Sequence, residues 1–344
     1  MERKTRVIQY GCGVMGQEIV RQLLTKEGMM VVGAIDKIGA GNDLGQVIGV
    51  GKLGVTISDD IDSVLSHIKA DVMVDATASH TRLVFPHLIK ALEAGLNVVT
   101  ICEEMTNPWL KEPELARRLD EAARRKGVTI VQTGLNPGFY ADVLPLMITS
   151  ACAEVRKIRI ERLSVNIDML KSPTTTQAYG IGLTEKEWKE KLAKGSIRGH
   201  VGFPETMHLI ADALGWKLTE VREEREPLIS EIVRDFSPLP RIEPGQCHGV
   251  RHIAYGMQNG ETVMKLESTL YLKAPTGEET IEPGFNLWVE GNPNFELRMK
   301  GVTTGHDIIV GTSARAVSWI PYAVKAKPGL LTSLREFPLV SYCK

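Results

Sequence analysis

Along the first 150 residues, short apolar runs alternate with longer stretches in which apolar residues recur at helical spacing. "RVIQY" is such a run. After "GCGVMG", Ile19, Val20, Leu23 and Leu24 follow at helical intervals, which predicts strand, glycine turn and helix. "MMVVGAID" predicts a second strand ending at Asp36, and "SDDIDSVLSHI" a helix with apolar Ile61, Val64, Leu65 and Ile68 and a cap at Ser58. "ADVMVDAT", "LNVVTICEE" and "VTIVQTG" predict further buried strands. Between them, the helices "VFPHLIKALEAG" and "PELARRLDEAARRKG" stop at Gly95 and Gly127, as helices commonly do. Beyond residue 150 the pattern shifts to longer strand-like segments, "VRKIRIERLSVNI", "VMKLESTLYLKA" and "FNLWVEGNPNFELRMKG".

Strand–helix alternation of this kind builds a parallel sheet covered on both faces. The expected fold class is α/β: a Rossmann dinucleotide-binding domain over 1–148, a second α+β domain over 149–305 that binds substrate, and a C-terminal segment over 306–344. Gly11, Gly13 and Gly16 form the G-x-G-x-x-G of such a domain. Gly11 allows the tight turn, Gly13 lets backbone approach a pyrophosphate, and Gly16 permits close helix–strand packing. Glycine turns also join strands to helices without binding anything. Here the motif follows a strand, opens an amphipathic helix and precedes Asp36 by about 20 residues, the separation expected of the ribose-binding acid. Cofactor contacts are therefore assigned to Gly11, Cys12, Gly13, Val14, Met15, Gly16 and Asp36, with Lys37 beside them. Asp36 favours NAD by repelling a 2′-phosphate, and Lys37 offsets that repulsion enough to admit NADP. The stretch "DATASHT" lies at a strand end, so Thr77, Ala78 and Ser79 are expected to border the nicotinamide ribose.

Composition removes several classes of partner. The 344 residues carry 41 Lys and Arg against 42 Asp and Glu, a formal charge of −1 without a basic cluster, so no nucleic acid is expected and a small molecule is. Cys12, Cys102, Cys152, Cys247 and Cys343 stand singly, a pattern suited to a reducing cytoplasm. No stretch approaches the ~18 apolar residues of a membrane span and "MERKTRVIQYG" has no signal core, so a soluble, unprocessed chain is expected. His248 and His252, near Cys247, lack ligand spacing, and no metal is expected.

Glu103 and Glu104 adjoin one another where the strand "LNVVTI" ends, on the ligand side of a parallel sheet. The acids can cap the following helix, stand solvated, or do chemistry. A carboxylate desolvated beside an apolar nicotinamide face has its pKa raised and can exchange protons near neutral pH. One can cap while the other reacts. Downstream, Asn136, Pro137, Gly138 and Phe139 form a turn at the start of an apolar helix, a second place to meet substrate.

The stretch "TICEEMTNPWLKEPELARRLDEAARRKGVTIVQTGLNPGFYADVLP", with "GHVGFPETMHLIADALGWKL" and the ending "IPYAVKAKPGLLTSLREFP", resembles the 2,4-diaminopentanoate dehydrogenases and the native amine dehydrogenases grouped with them. These in turn resemble dihydrodipicolinate reductase in fold. The resemblance covers nearly the whole chain and implies an NAD(P)-dependent amine dehydrogenase that interconverts an amine with a ketone and ammonia. It also implies a catalytic glutamate, Glu103 first and Glu104 second, a substrate contact at His200, a homodimer, and a C-terminal helix, "HDIIVGTSARAVSWI", returning to the nucleotide domain. Where substrate is chosen the chain departs from the family pattern, reading "ERLSVNIDMLKSPTTTQAYG". Arg162 and Asn166 remain candidates to meet a carboxylate, and simpler amines and ketones enter the range. An imine reductase of the dihydrodipicolinate type, a carbonyl reductase and a non-catalytic NAD(P)-binding protein are the alternatives.

Overall fold

A computed structural model describes residues 3–165, 167, 173–237, 240–273, 283–300 and 304–331. The predicted alternation appears as β1 (Thr5–Tyr10), α1 (Val14–Leu23), β2 (Met29–Ile35), α2 (Leu44–Val47), β3 (Ile57–Ser58), α3 (Ile61–His67), β4 (Val72–Asp75), α4 (Thr81–Glu93), β5 (Asn97–Thr100), α5 (Pro113–Lys126) and β6 (Thr129–Gln132). With the late strand β13 (Gly329–Leu331), these strands pair in the order β13-β6-β5-β4-β1-β2-β3, every ladder parallel.

Successive strand residues point to opposite faces, and both faces are covered. Ile8, Met73, Val98 and Ile130 pack against Val84 and Leu88 of α4 and Leu119 of α5. Val7, Val72, Val74, Val99 and Val131 pack against Ile19 and Leu23 of α1 and against Val317, Trp319 and Ile320. The last three lie on α10 (Gly305–Ala323), the helix expected in "HDIIVGTSARAVSWI".

The second sheet-rich unit holds α6 (Val143–Thr149), β7 (Glu154–Val165), α7 (Pro173–Tyr179), α8 (Glu185–Ala193), α9 (Phe203–Leu214), β8 (Glu220–Ile229), β9 (Cys247–Gln258), β10 (Glu261–Tyr271), β11 (Gly284–Asn292) and β12 (Phe295–Lys300). Its strands run in the order β12-β11-β7-β10-β9-β8, antiparallel except for the β7–β10 pair. Residue contacts divide the chain into Met1–Phe139 with Ile309–Lys344, and Tyr140–Ile308.

Two local expectations change. The cap of α3 is Asp60, whose carboxylate accepts from the N–H groups of Asp62 and Ser63, while the Ser58 hydroxyl accepts from the Asp60 N–H one turn earlier. A carboxylate favours a helix N-terminus through charge as well as hydrogen bonding. The helix after the Asn136–Phe139 turn begins only at Val143, capped by Asp142.

Candidate active site

Sheet register builds the site. Tyr10 pairs with Ile35 on one side and Asp75 on the other, Asp75 with Thr100, and Thr100 with Gln132. The next residues, Asp36, Gly11, Ala76, Ile101 and Thr133, therefore leave the sheet along one edge. β1 has β2 on one side and β4 on the other, so the chain turns opposite ways from this point, where parallel sheets bind ligands.

At that edge the three glycines have different surroundings. A Cβ on Gly16 would lie 1.7 Å from the Gly11 carbonyl oxygen, and one on Gly11, whose φ is +87°, would lie 2.6 Å from the Ala76 carbonyl oxygen. These two are glycines because backbone fills the space. A Cβ on Gly13 would meet nothing within 4 Å. The opening lies at the N-terminus of the ten-residue helix α1, where N–H groups and the helix dipole favour a phosphate. Asp36 is held at the β2 end by the N–H groups of Cys12, at 2.5 Å, and Ile38, at 2.7 Å. Loop and acid together fit the pyrophosphate and ribose of a dinucleotide.

Glu103 and Glu104 open a 3-10 turn, Glu103–Thr106, immediately after β5. Their environments differ sharply. Glu104 is buried and fully engaged: one oxygen takes a hydrogen bond from His80 Nδ1 at 2.8 Å and lies 3.7 Å from Lys111 Nζ. The other accepts the Thr81 N–H at 2.9 Å, so Glu104 caps α4, the preceding helix rather than the following one. Burial pushes the Glu103 carboxyl above its ordinary range, against the opposing effects of its own N–H, the Ser79 hydroxyl and His80. The Glu104 N–H donates to the Ser79 carbonyl at 3.2 Å, which ties the acidic turn to the Thr77–Ser79 loop.

The Asn136–Phe139 turn lies beyond β6 at the same edge, with Pro137 following a cis peptide bond. Gln132 Nε2 donates to the Pro137 carbonyl at 3.4 Å and Arg315 Nη2 to the Gly138 carbonyl at 2.9 Å. The Arg315 guanidinium lies 5.2 Å from the Phe139 ring centre. The Asn136 Oδ1 atom is enclosed and accepts no hydrogen bond among the described residues.

A family model described as 2,4-diaminopentanoate dehydrogenase C-terminal domain matches residues 139–342, and one described as dihydrodipicolinate reductase, N-terminus, matches residues 5–107. The 2,4-diaminopentanoate dehydrogenase of Acetoanaerobium sticklandii is 32% identical, covering 96% of this chain and 93% of its own. The chain belongs to the 2,4-diaminopentanoate dehydrogenase family. An amine dehydrogenase of Streptomyces virginiae is 22% identical over 96% of each chain. The structure of an amine dehydrogenase from Mycobacterium smegmatis superposes with a TM-score of 0.84 at 26% identity, covering 98% of this chain and 97% of the other.

In the family member described here, the glycine loop, Asp36, Thr77–Ser79, the acidic pair and Asn136–Phe139 are gathered at one sheet edge of the first unit. Arg162 and His200 belong to the second unit, and Asn166 lies outside the described residues. Arg162, on β7, is 7% exposed, and among the described residues its side chain makes one hydrogen bond, from Nη2 to Ser268 Oγ at 2.9 Å, leaving Nε without an acceptor. Burial pulls the pKa of its guanidinium down, with Tyr179 and Tyr140 nearby. His200 donates its backbone N–H to His252 Nδ1 at 3.1 Å and stacks its ring on Phe203. Buried His252 in turn meets half-buried Glu223 at 3.0 Å, a pairing that spacing in the sequence does not reveal. Sequence reasoning took Asp75 only as the first residue of "DATASHT" and gave it no role of its own, although it is a charged residue closing the apolar run "VMVD". Among the described residues, no three His, Cys, Asp or Glu side chains gather as metal ligands.

Proposed function

We propose that this protein is an NAD(P)-dependent amine dehydrogenase that oxidises an amine to a ketone and ammonia and runs in reverse as a reductive aminase. Family membership supports the reaction class. The observation that carries the assignment of roles is the division of labour in the acidic pair, Glu104 committed to α4 and Glu103 held half-buried with its pKa raised. Gly11–Gly16, Asp36 and the Thr77–Ser79 loop hold the dinucleotide, whose chemistry is hydride transfer to and from the amine-bearing carbon. Asp36 favours NAD, and exposed Lys37 leaves NADP admissible.

Glu103 accepts the proton of the substrate ammonium, since only a neutral amine releases hydride readily. Glu103 passes that proton on to solvent, and once hydride has left, its ionised carboxylate attracts the iminium cation that remains. Glu103 then takes a proton from the attacking water and returns one to the departing nitrogen, so that ketone and ammonia leave. A carboxyl raised toward neutrality suits both transfers. Asn136 offers its unfilled acceptor to the nitrogen, and Pro137 and Phe139 wall the substrate. In the second unit, Arg162 is assigned a substrate carboxylate: its buried guanidinium has no acidic partner among the described residues, and a buried cation is costly until an anion meets it. Within that unit His200 is the second residue assigned to substrate.

A homodimer fits the second sheet, one face of which carries Arg159, Glu161, Arg251, Lys265 and Glu267 among Trp288 and Tyr255. Cys12, Cys102, Cys152 and Cys247 are free thiols, in keeping with the cytoplasm. The test is Glu103→Gln. Turnover in both directions should fall below detection while NADH still binds, and wild-type kcat should lose activity on acidification at a pH above the usual carboxylate range. An active Glu103→Gln enzyme contradicts the proposal.

A further inference from the structure

Below the acidic turn, a second carboxylate is wholly buried. Asp75, the last residue of β4, has no exposed surface and no role in the reaction described above. It accepts three hydrogen bonds: from Thr77 Oγ1 at 2.7 Å, from His87 Nε2 at 2.9 Å, and from Thr100 Oγ1 at 2.6 Å. Each donor comes from a different element, respectively the loop after β4, helix α4 and strand β5. The Tyr10 ring stands edge-on to His87 at 4.4 Å, and burial and the Asp75 charge both push the Tyr10 phenol upward.

The Thr100 hydroxyl is also an acceptor. It takes the Cys102 N–H at 3.1 Å, on the residue directly before Glu103. The Asp75 carboxylate is thus two hydrogen bonds from the acidic turn through Thr100, and one from the nucleotide loop through Thr77. The two loops meet again at Ser79, whose carbonyl takes the Glu104 N–H at 3.2 Å. Buried polar networks with every member satisfied hold one geometry.

We propose that Asp75 is a positioning residue: with Thr100 and His87 it sets the Glu103 carboxylate and the Thr77–Ser79 loop in fixed relation to the sheet. The inference rests on Glu103 being the proton-transfer group. A simple structural knot in this place would support the fold and leave the proton chemistry untouched. A positioning network instead controls how deeply Glu103 is withdrawn from water, and its failure hydrates that carboxylate. Among the described residues, the titratable neighbours are Tyr10 and His87 around Asp75, with Asp36 and Lys90 beyond Tyr10, His80 and Glu104 around Glu103, and the buried Cys102 thiol between the two acids, which both push upward.

Thr100→Val is the decisive variant, because it keeps the β-branched shape and removes the hydroxyl alone. It should lower kcat by roughly 10- to 100-fold, the scale of a small misplacement of a reacting group, and move the acid limb of kcat to lower pH. NADH affinity, read by binding titration, should stay at the wild-type value. Thr100→Ser should restore both kcat and the acid limb. Asp75→Asn, which replaces one acceptor oxygen by N–H donors, should reproduce the kinetic defect and weaken NADH binding as well, since Thr77 loses its anchor. A wild-type kcat and acid limb in Thr100→Val, whatever its melting temperature, would overturn the proposal, as would a defect that Thr100→Ser does not repair. Should Asp75→Asn fail to fold, the Thr100 pair decides alone. An active Glu103→Gln enzyme would remove the premise; an inactive one beside an unaltered Thr100→Val removes only the positioning role.

Discussion

Two adjacent glutamates sit within one turn and are physically unlike. Glu104 has donors on both oxygens and anchors a helix start, so Glu104→Ala should lower stability by about 1 kcal/mol, the usual scale of a lost cap. Glu103 is the opposite case. Its carboxyl is raised in the folded chain, so the unfolded state ionises first as pH rises and the native state loses relative stability through the carboxylate range. Glu103→Gln should therefore raise the melting temperature at neutral pH, with the gain vanishing below about pH 4, where the carboxyl is protonated in both states. Thermal scans of both variants across pH check this contrast. An equal, destabilising effect of both substitutions at pH 7 would mean that Glu103 is another structural acid.

The glycine loop makes a similar separation among elements. Gly16→Ala forces a Cβ onto the Gly11 carbonyl and should cost about 1–3 kcal/mol of stability through overpacking. Gly13→Ala points into open space; it should fold like the parent and weaken NADH binding about tenfold or more, a loss of at least ~1.4 kcal/mol. Denaturation and binding titrations run side by side distinguish the two. The strands and helices of the nucleotide-binding sheet were legible because apolar periodicity is imposed locally by burial on both faces. The glycine loop was legible because spacing alone encodes it. What periodicity does not carry is register: Asp75 meets Thr100, and the two loops above them meet at Ser79, only once β4 and β5 are aligned. The Asp60 cap was missed for a simpler reason, since Ser58, Asp59 and Asp60 are all competent caps and the competition is settled by where the chain leaves β3.

Across the whole molecule, the relationship to known proteins is continuous rather than modular. The 32% identical relative spans 96% of the chain, and the superposed amine dehydrogenase spans 98%. The two units differ in how much the sequence disclosed. Rossmann-type chemistry announces itself through glycines and a strand-end acid, whereas Arg162 and His200 gain meaning only from burial and from partners such as Ser268 and His252 on neighbouring strands. In the proposed function, substrate choice belongs to the second unit, with a carboxylate expected for Arg162. The central claim is amine chemistry itself. Oxidation of NADH and NADPH should be followed with paired ketones, carboxylated (2-amino-4-oxopentanoate) and uncarboxylated, each with and without ammonium, with the product identified by mass. The account predicts amine formed only when ammonium is present, with the carboxylated ketone preferred; cofactor oxidation that yields alcohol without ammonium, or no turnover in any mixture, would contradict it.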